Sequence, residues 1–315
     1  MENNPIKRAA HTPSMEQMIL RPLAYFAVFR YPLRLEEIKW YCGSAALDHK
    51  TLQTSLDQLV QKGVVSQYGD TYQLGNDPEW LQRRLEANER ATRILPRAHQ
   101  IGRFIGQFPF VRSVLISGSL SKQVMTPDSD VDFFIVTDPG RLWLARTLLI
   151  IFKKVFLLNS HRYFCVNYFV DTDHLEIAEK NLFTATESVT LMPVWGREGY
   201  LDFCRFNQWA KELYPCFPER FTENMPGYSR NLIKKALEWI WAGTWGNLLD
   251  QKAMEITVNH WKHKFKHLDD QTFDLALKSR RGVSKHHPLH FQQKVLEQFE
   301  QNLETALVQL EKLNQ

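Results

Sequence analysis

A chain of 315 residues with 44% hydrophobic and 12% aromatic content has the apolar mass for more than one folded unit, which excludes global disorder. Its formal charge of +4 permits an anionic ligand but does not mark a strong nucleic-acid binder. Four scattered cysteines (Cys42, Cys165, Cys204, Cys216) make no C-x-x-C pair, and MENNPIKRAAHTPS lacks the apolar stretch of a secretory signal, so a soluble cytoplasmic protein is expected.

Met18, Leu23, Phe26, Ala27 and Phe29 recur near helical spacing until Tyr31-Pro32 ends the run. Residues 35–42 form a short helical stretch stopped by Gly43. Asp48 then caps a helix carrying Leu52, Leu56, Leu59 and Val60, with Gly63 at its end. VVSQYGDTYQLG predicts two strands around Gly69-Asp70. Three helices and a hairpin over residues 15–75 resemble a winged helix. Its would-be recognition helix, residues 48–62, sets Lys50 and Lys62 against Asp48 and Asp57, so the charge cancels. Specific binding to duplex DNA is therefore not expected, and packing or protein contact is the favoured role.

Residues 76–108 predict a connector helix with Ile94, Ile101, Phe104 and Ile105 on its apolar side. Between 109 and 180, strands at 113–117, 131–136 and 163–170 alternate with a helix over 142–158, which follows the Pro139-Gly140 break. Arg146, Lys153 and Lys154 interrupt that apolar helix, so it is read as buried and no membrane partner is expected. Residues 181–315 read as a helical C-terminal domain in which Trp195, Trp209, Trp239, Trp241, Trp245 and Trp261 anchor the core. The expected fold class is mixed α/β (α+β): a small sheet core flanked by a winged-helix-like N-terminal domain and a helical C-terminal domain.

The chemistry concentrates in LISGSLSK, residues 115–122, and DSDVDFFIV, residues 128–136. Gly118 and Ser119 directly follow an apolar strand, where glycine lets the backbone approach a ligand closely. A helix begun by LSKQV would aim its free N–H groups at a phosphate. Ser121 and Lys122 either reach triphosphate oxygens or sit on the helix surface. Asp130 and Asp132 stand two apart at a strand start, so their carboxylates share a face and repel unless a cation lies between them. Such hard oxygen ligands suit Mg²⁺, with room for one or two ions.

Gly118-Ser119, a gap, then Asp130-Val131-Asp132 opening an apolar strand resembles the DNA polymerase beta-like nucleotidyltransferase superfamily, and among it the small bacterial-looking members. The resemblance spans residues 111–170. It implies that Gly118 and Ser119 hold a nucleoside triphosphate (ATP by default), that Asp130 and Asp132 coordinate Mg²⁺, and that a nucleotide passes to an acceptor. That acceptor is a protein side chain, a small molecule or an RNA end.

The chain departs from the family pattern twice. Small members often carry a second glycine where Gln123 stands. The third carboxylate of the family falls on YFCVNYFVDTDHLEI, where Asn167 occupies its position; Asp171 lies on the same nominal face about 13 Å further along. Two other readings stay open: a DNA-binding regulator with a nucleotide-sensing core, in which Lys50 and Gln53 would matter, and a non-catalytic interaction protein. The basic run over residues 278–288 reads as a solvated connection or a site for phosphate or an anionic acceptor. His286 and His287 lack partners at metal-ligand spacing, so zinc is not expected.

Overall fold

The computed structural model describes residues 14–156, 162–220, 222–223, 225, 231–266, 268–269, 273, 277, 279–285 and 291–315. Ser14 and Gln17 form a reciprocal capping box that starts α1 (Met15–Ala27). There follow β1 (Leu33–Arg34), α2 (Leu35–Tyr41), α3 (His49–Gln61), β2 (Val65–Tyr68) and β3 (Thr71–Leu74). Asp48 accepts the amides of Lys50 and Thr51 and so caps α3, and Gly63 leaves the helix in the left-handed region at φ +70°. Antiparallel pairing gives the strand order β1-β3-β2. The two-residue β1 is too short to leave a periodic signal in the sequence.

The connector α4 (Glu79–Ile105) is fastened to this unit by Arg84, which is 2% exposed. Its guanidinium makes a two-pronged pair with Glu37 and donates to the Pro32 carbonyl. Beyond α4 lie β4 (Val111–Ser117), α5 (Gly118–Ser121), β5 (Asp132–Thr137), α6 (Leu142–Phe156) and β6 (Cys165–Asp171). β5 and β6 run parallel, as the intervening α6 allows, while β4 runs antiparallel to β5. Alternation sorts the two faces. Val114, Ile116, Phe133, Ile135 and Phe169 join one core cluster with Ile105, Trp143 and Leu149, whereas Leu115, Phe134, Val136 and Val170 join another with Tyr200 and Phe203.

The chain after residue 180 does not form the separate helical domain expected for 181–315. It continues as α7 (Leu182–Thr190), β7 (Met192–Trp195), α8 (Arg197–Phe206), α9 (Gln208–Leu213), α10 (Leu232–Ile240), α11 (Gly243–Lys264), β8 (Ser279–Arg280), β9 (Val283–Lys285) and α12 (Phe291–Leu313). The three new strands complete a sheet of order β7-β4-β5-β6-β9-β8. Helix α12 returns to α1 and contributes Val295, Phe299, Ala306 and Leu310 to the first unit's core. Asn302 donates to the Ala24 carbonyl at 3.2 Å and Gln309 to that of Gly63 at 3.1 Å.

Tryptophans divide likewise. Trp195 and Trp261 are buried anchors, but Trp239 and Trp245 are 80% and 76% exposed, against the reading of all six as core. Among the described residues no helix is long and apolar enough to cross a membrane. The N-terminal segment 1–13, residues 157–158 of the expected helix, and Lys278, His286, His287 and Pro288 of the basic run lie outside the described residues.

Candidate active site

Strand register builds the site. Ser117 pairs with Asp132, and Asp132 pairs with Cys165, so the end of β4 and the starts of β5 and β6 meet at one end of the central strands. The chain leaves β4 through Gly118 at φ +66°. A Cβ at that position would overlap Asp132 Oδ2 and stand 3.2 Å from its Cγ. Glycine is therefore demanded twice, by backbone conformation and by the close approach of the carboxylate.

The helix after this turn starts at Gly118, earlier than expected, and lasts one turn. Gln123 then takes φ +61°, the left-handed region that the glycine of small family members would occupy more easily, at a cost of about 1 kcal/mol. Because the helix ends so early, Ser121 and Lys122 fold back on it. The Ser121 hydroxyl donates to the Gly118 carbonyl at 2.9 Å and the Lys122 ammonium donates to the same oxygen at 2.8 Å. Lys122 also pairs with Glu187 of α7 at 2.8 Å. Of the two roles open to these residues, contact with triphosphate oxygens or a place on the helix surface, the structure shows neither directly: they brace the turn, and neither lines the cavity described below.

Asp130 lies between the Pro127-Asp128 turn and β5, and Asp132 is the first residue of that strand. Asp132 Oδ1 accepts the Asn167 amide at 3.1 Å. Burial is the main cause that pushes the Asp132 carboxyl up to about 6; a hydrogen bond from the Cys165 thiol opposes the shift, and the charges of Asp130 and Glu187 add to it. Burial, followed by the Asp132 and Asp130 charges, raises the Cys165 thiol to about 12, so it stays protonated and donates. Asn167 falls where the β5–β6 register slips, between the pairs Phe133–Val166 and Phe134–Tyr168. Both Asn167 and Tyr168 consequently line the same cavity. Asp171 is remote from it: it pairs with Thr137 at the opposite end of β6 and bonds the His174 ring at 2.6 Å. Of the two residues weighed for the third position, the fold brings only Asn167 to the aspartates.

The cavity has a volume of about 930 Å³. Its lining combines polar groups (Ser117, Gly118, Ser119, Asp130, Asp132, Asn167) with apolar side chains (Phe134, Tyr168, Phe183, Phe203, Phe291, Leu296). The Phe134 and Tyr168 rings stack at 4.9 Å. Helix α12 closes one side with Gln292, Gln293, Glu297 and Glu300, its opposite face being the one packed on α1. Six carboxylates (Asp128, Asp130, Asp132, Glu187, Glu297, Glu300) thus face the space against one lysine, Lys285, among the described lining residues. The sequence reading missed Glu187 and α12 because tertiary packing alone brings them here. Lys285 belongs to the basic run that was noticed, and β9 carries it onto the wall, where its ammonium donates to Gln292 at 3.3 Å.

Among the described residues no group of three or more His, Cys, Asp or Glu side chains is arranged to hold a metal ion. Asp130 and Asp132 are the two carboxylates that the start of β5 offers. Residues 100–183 match the family model described as a nucleotidyltransferase domain. This segment belongs to the nucleotidyltransferase superfamily. The match runs from the end of α4 through β6 to the first turn of α7, so it contains the Gly118 turn, Asp130, Asp132 and Asn167. Comparison of the chain with curated proteins and with solved structures returns no match.

Proposed function

We propose that this protein is a metal-dependent nucleotidyltransferase, moving a nucleoside monophosphate from a triphosphate, with ATP the default donor, to an acceptor hydroxyl. The observation that carries this reading is the charge of the cavity. A triphosphate entering a space lined by six carboxylates, one of them (Glu187) paired with Lys122, and one lysine is repelled unless cations accompany it. The residues fit Mg²⁺: Asp132 is a half-buried carboxylate whose pKa burial raises to about 6, Asp130 is the like charge that raises it most, and Mg²⁺ needs one or two carboxylates when substrate phosphates supply the rest. When bound there, Mg²⁺ would neutralise phosphate charge and polarise the attacking oxygen.

The chain's own residues divide the remaining work. The Gly118 turn lets the triphosphate approach the backbone beside Ser119, with Ser121 and Lys122 fixing the turn from behind. Asn167 orients Asp132 through its amide and leaves its carbonyl oxygen for a further contact. The aromatic side chains in the cavity lining, from β5, β6, α7, α8 and α12, suit a compact acceptor with an apolar body better than an RNA end or a folded protein. For the first unit, with its helix, strand, helix, helix, hairpin order, we favour packing and protein contact over DNA reading: α12 packs on its α1, and Lys50 and Asp48 share one turn of α3.

Asn167→Asp tests the third position. The added charge beside Asp132 is expected to tighten Mg²⁺ binding by about tenfold and to lower metal-free stability, read by calorimetry and thermal melting. Unchanged Mg²⁺ affinity would show that Asn167 does not face the ion.

A further inference from the structure

We propose that the outward face of α10 and the first turns of α11 bind the surface of an anionic lipid bilayer. Helix α10 is amphipathic in reverse. Two of its charged side chains point into the protein: the Lys234 ammonium, 1% exposed, donates to the carbonyls of Gly106 and Val111 at 2.8 Å each. Glu238 accepts the Phe110 amide at 2.7 Å and the Arg112 guanidinium at 2.8 Å. The opposite face carries Leu232, Ile233, Trp239 and Ile240, which are 78%, 70%, 80% and 58% exposed. Their spacing of i, i+1, i+7 and i+8 puts them on one side of the helix.

Past Gly243 the apolar surface resumes on α11 with Trp245 and Leu248, 76% and 51% exposed. This corner is held firmly. Arg141 donates to Asn247 and to the Gly243 carbonyl, and Asp250 accepts the Leu144 amide at 2.9 Å. A polar face clamped to the core by charged hydrogen bonds, with two indoles held in water, costs free energy unless something covers the apolar side.

Charge identifies the occupant. Residues 231–266 contain six lysines against three acidic residues; Lys234 is the inward anchor, and the other five are exposed. Two of those acids, Glu238 and Asp250, are spent on the inward anchors, and Glu255 pairs with Lys252. Lys235 is exposed at the border of the apolar face. A second copy would bring the same basic border against itself, whereas anionic headgroups complement it. Tryptophan flanked by lysine is also the side-chain chemistry that settles at the headgroup level. The association is peripheral, a helix lying on the surface.

The full chain is sedimented with large phosphatidylcholine vesicles, with and without 30% phosphatidylglycerol. Binding is expected to the anionic vesicles only, with a blue shift of tryptophan emission and release in high salt. Trp239→Ser/Trp245→Ser is expected to weaken binding at least tenfold without lowering the melting temperature, since both rings lie in solvent. Lys235→Glu/Lys252→Glu, which leaves the apolar face intact, is expected to do the same. No binding of the unaltered chain to anionic vesicles overturns the proposal. So does undiminished binding by both double variants, or a lipid-free dimer, seen by light scattering, that the tryptophan variant dissolves while vesicles capture nothing.

Discussion

Asp132→Asn is expected to lower nucleotide transfer by at least about 10³-fold and, in the metal-free protein above pH 6, to raise the melting temperature. The two effects share a cause. Burial lifts the Asp132 carboxyl from 3.8 to about 6, so in the folded protein it holds a proton that the unfolded chain has already lost. Because the folded value is the higher one, its contribution to stability is fully present below pH 4 and is lost as pH rises through 6. At pH 8 the ionised group costs about 2–3 kcal/mol, which the amide avoids while keeping its contact with Asn167 in reach. The same titration gives Mg²⁺ a pH dependence, with binding that weakens as pH falls through 6. Melting curves at pH 4 and pH 8 in EDTA, beside pyrophosphate release in Mg²⁺, read all of this. A variant with full transfer activity removes the carboxylate from the mechanism, and one that melts lower at pH 8 in EDTA refutes the strain assigned to it.

Gly118→Ala should cripple the same site by geometry alone. The added methyl needs the space of Asp132 Oδ2, and the backbone must hold φ +66° with a Cβ, which costs roughly 1–2 kcal/mol before any clash. Either Asp132 swings out of line with Asp130 or the turn relaxes away from the triphosphate path. A loss of transfer of about 10²-fold or more is expected, with Mg²⁺ affinity falling in parallel and the melting temperature dropping by several degrees. Transfer and Mg²⁺ affinity equal to those of the unaltered chain would mean that the turn does not border the reacting groups.

How far the residues announced this arrangement depends on the range of the forces involved. The Gly118 turn and the Asp130–Asp132 pair were legible because strand alternation and a glycine after an apolar strand are local signals. Asp48 as the cap of α3 and Gly63 at its end were legible for the same reason. The place of Lys122 stayed open, since nothing local shows that a helix of one turn will end and return the ammonium to the Gly118 carbonyl and Glu187. The choice between Asn167 and Asp171 turned on distance along β6, since Asp171 pairs with Thr137 at its far end; the register slip that brings both Asn167 and Tyr168 to the cavity leaves no trace in alternation of apolar and polar residues. β7 and β9 escaped because Met-Pro-Val-Trp and Val-Ser-Lys are short and are held by pairing with neighbours. The exposed Trp239 and Trp245 sit at helical spacing like core anchors, and only the inward anchoring of Lys234 and Glu238 reveals which face of α10 is turned out.

Calorimetric titration with ATP, first in EDTA and then in excess Mg²⁺, tests the central assignment most directly, since it needs no knowledge of the acceptor. The six carboxylates of the cavity forbid tight binding of a bare triphosphate, so binding is expected in Mg²⁺, weakened at least tenfold in EDTA, and the Mg²⁺-dependent gain is expected to vanish in Asp132→Asn. Equal affinity for ATP in EDTA and in Mg²⁺ would contradict a metal site built on Asp130 and Asp132.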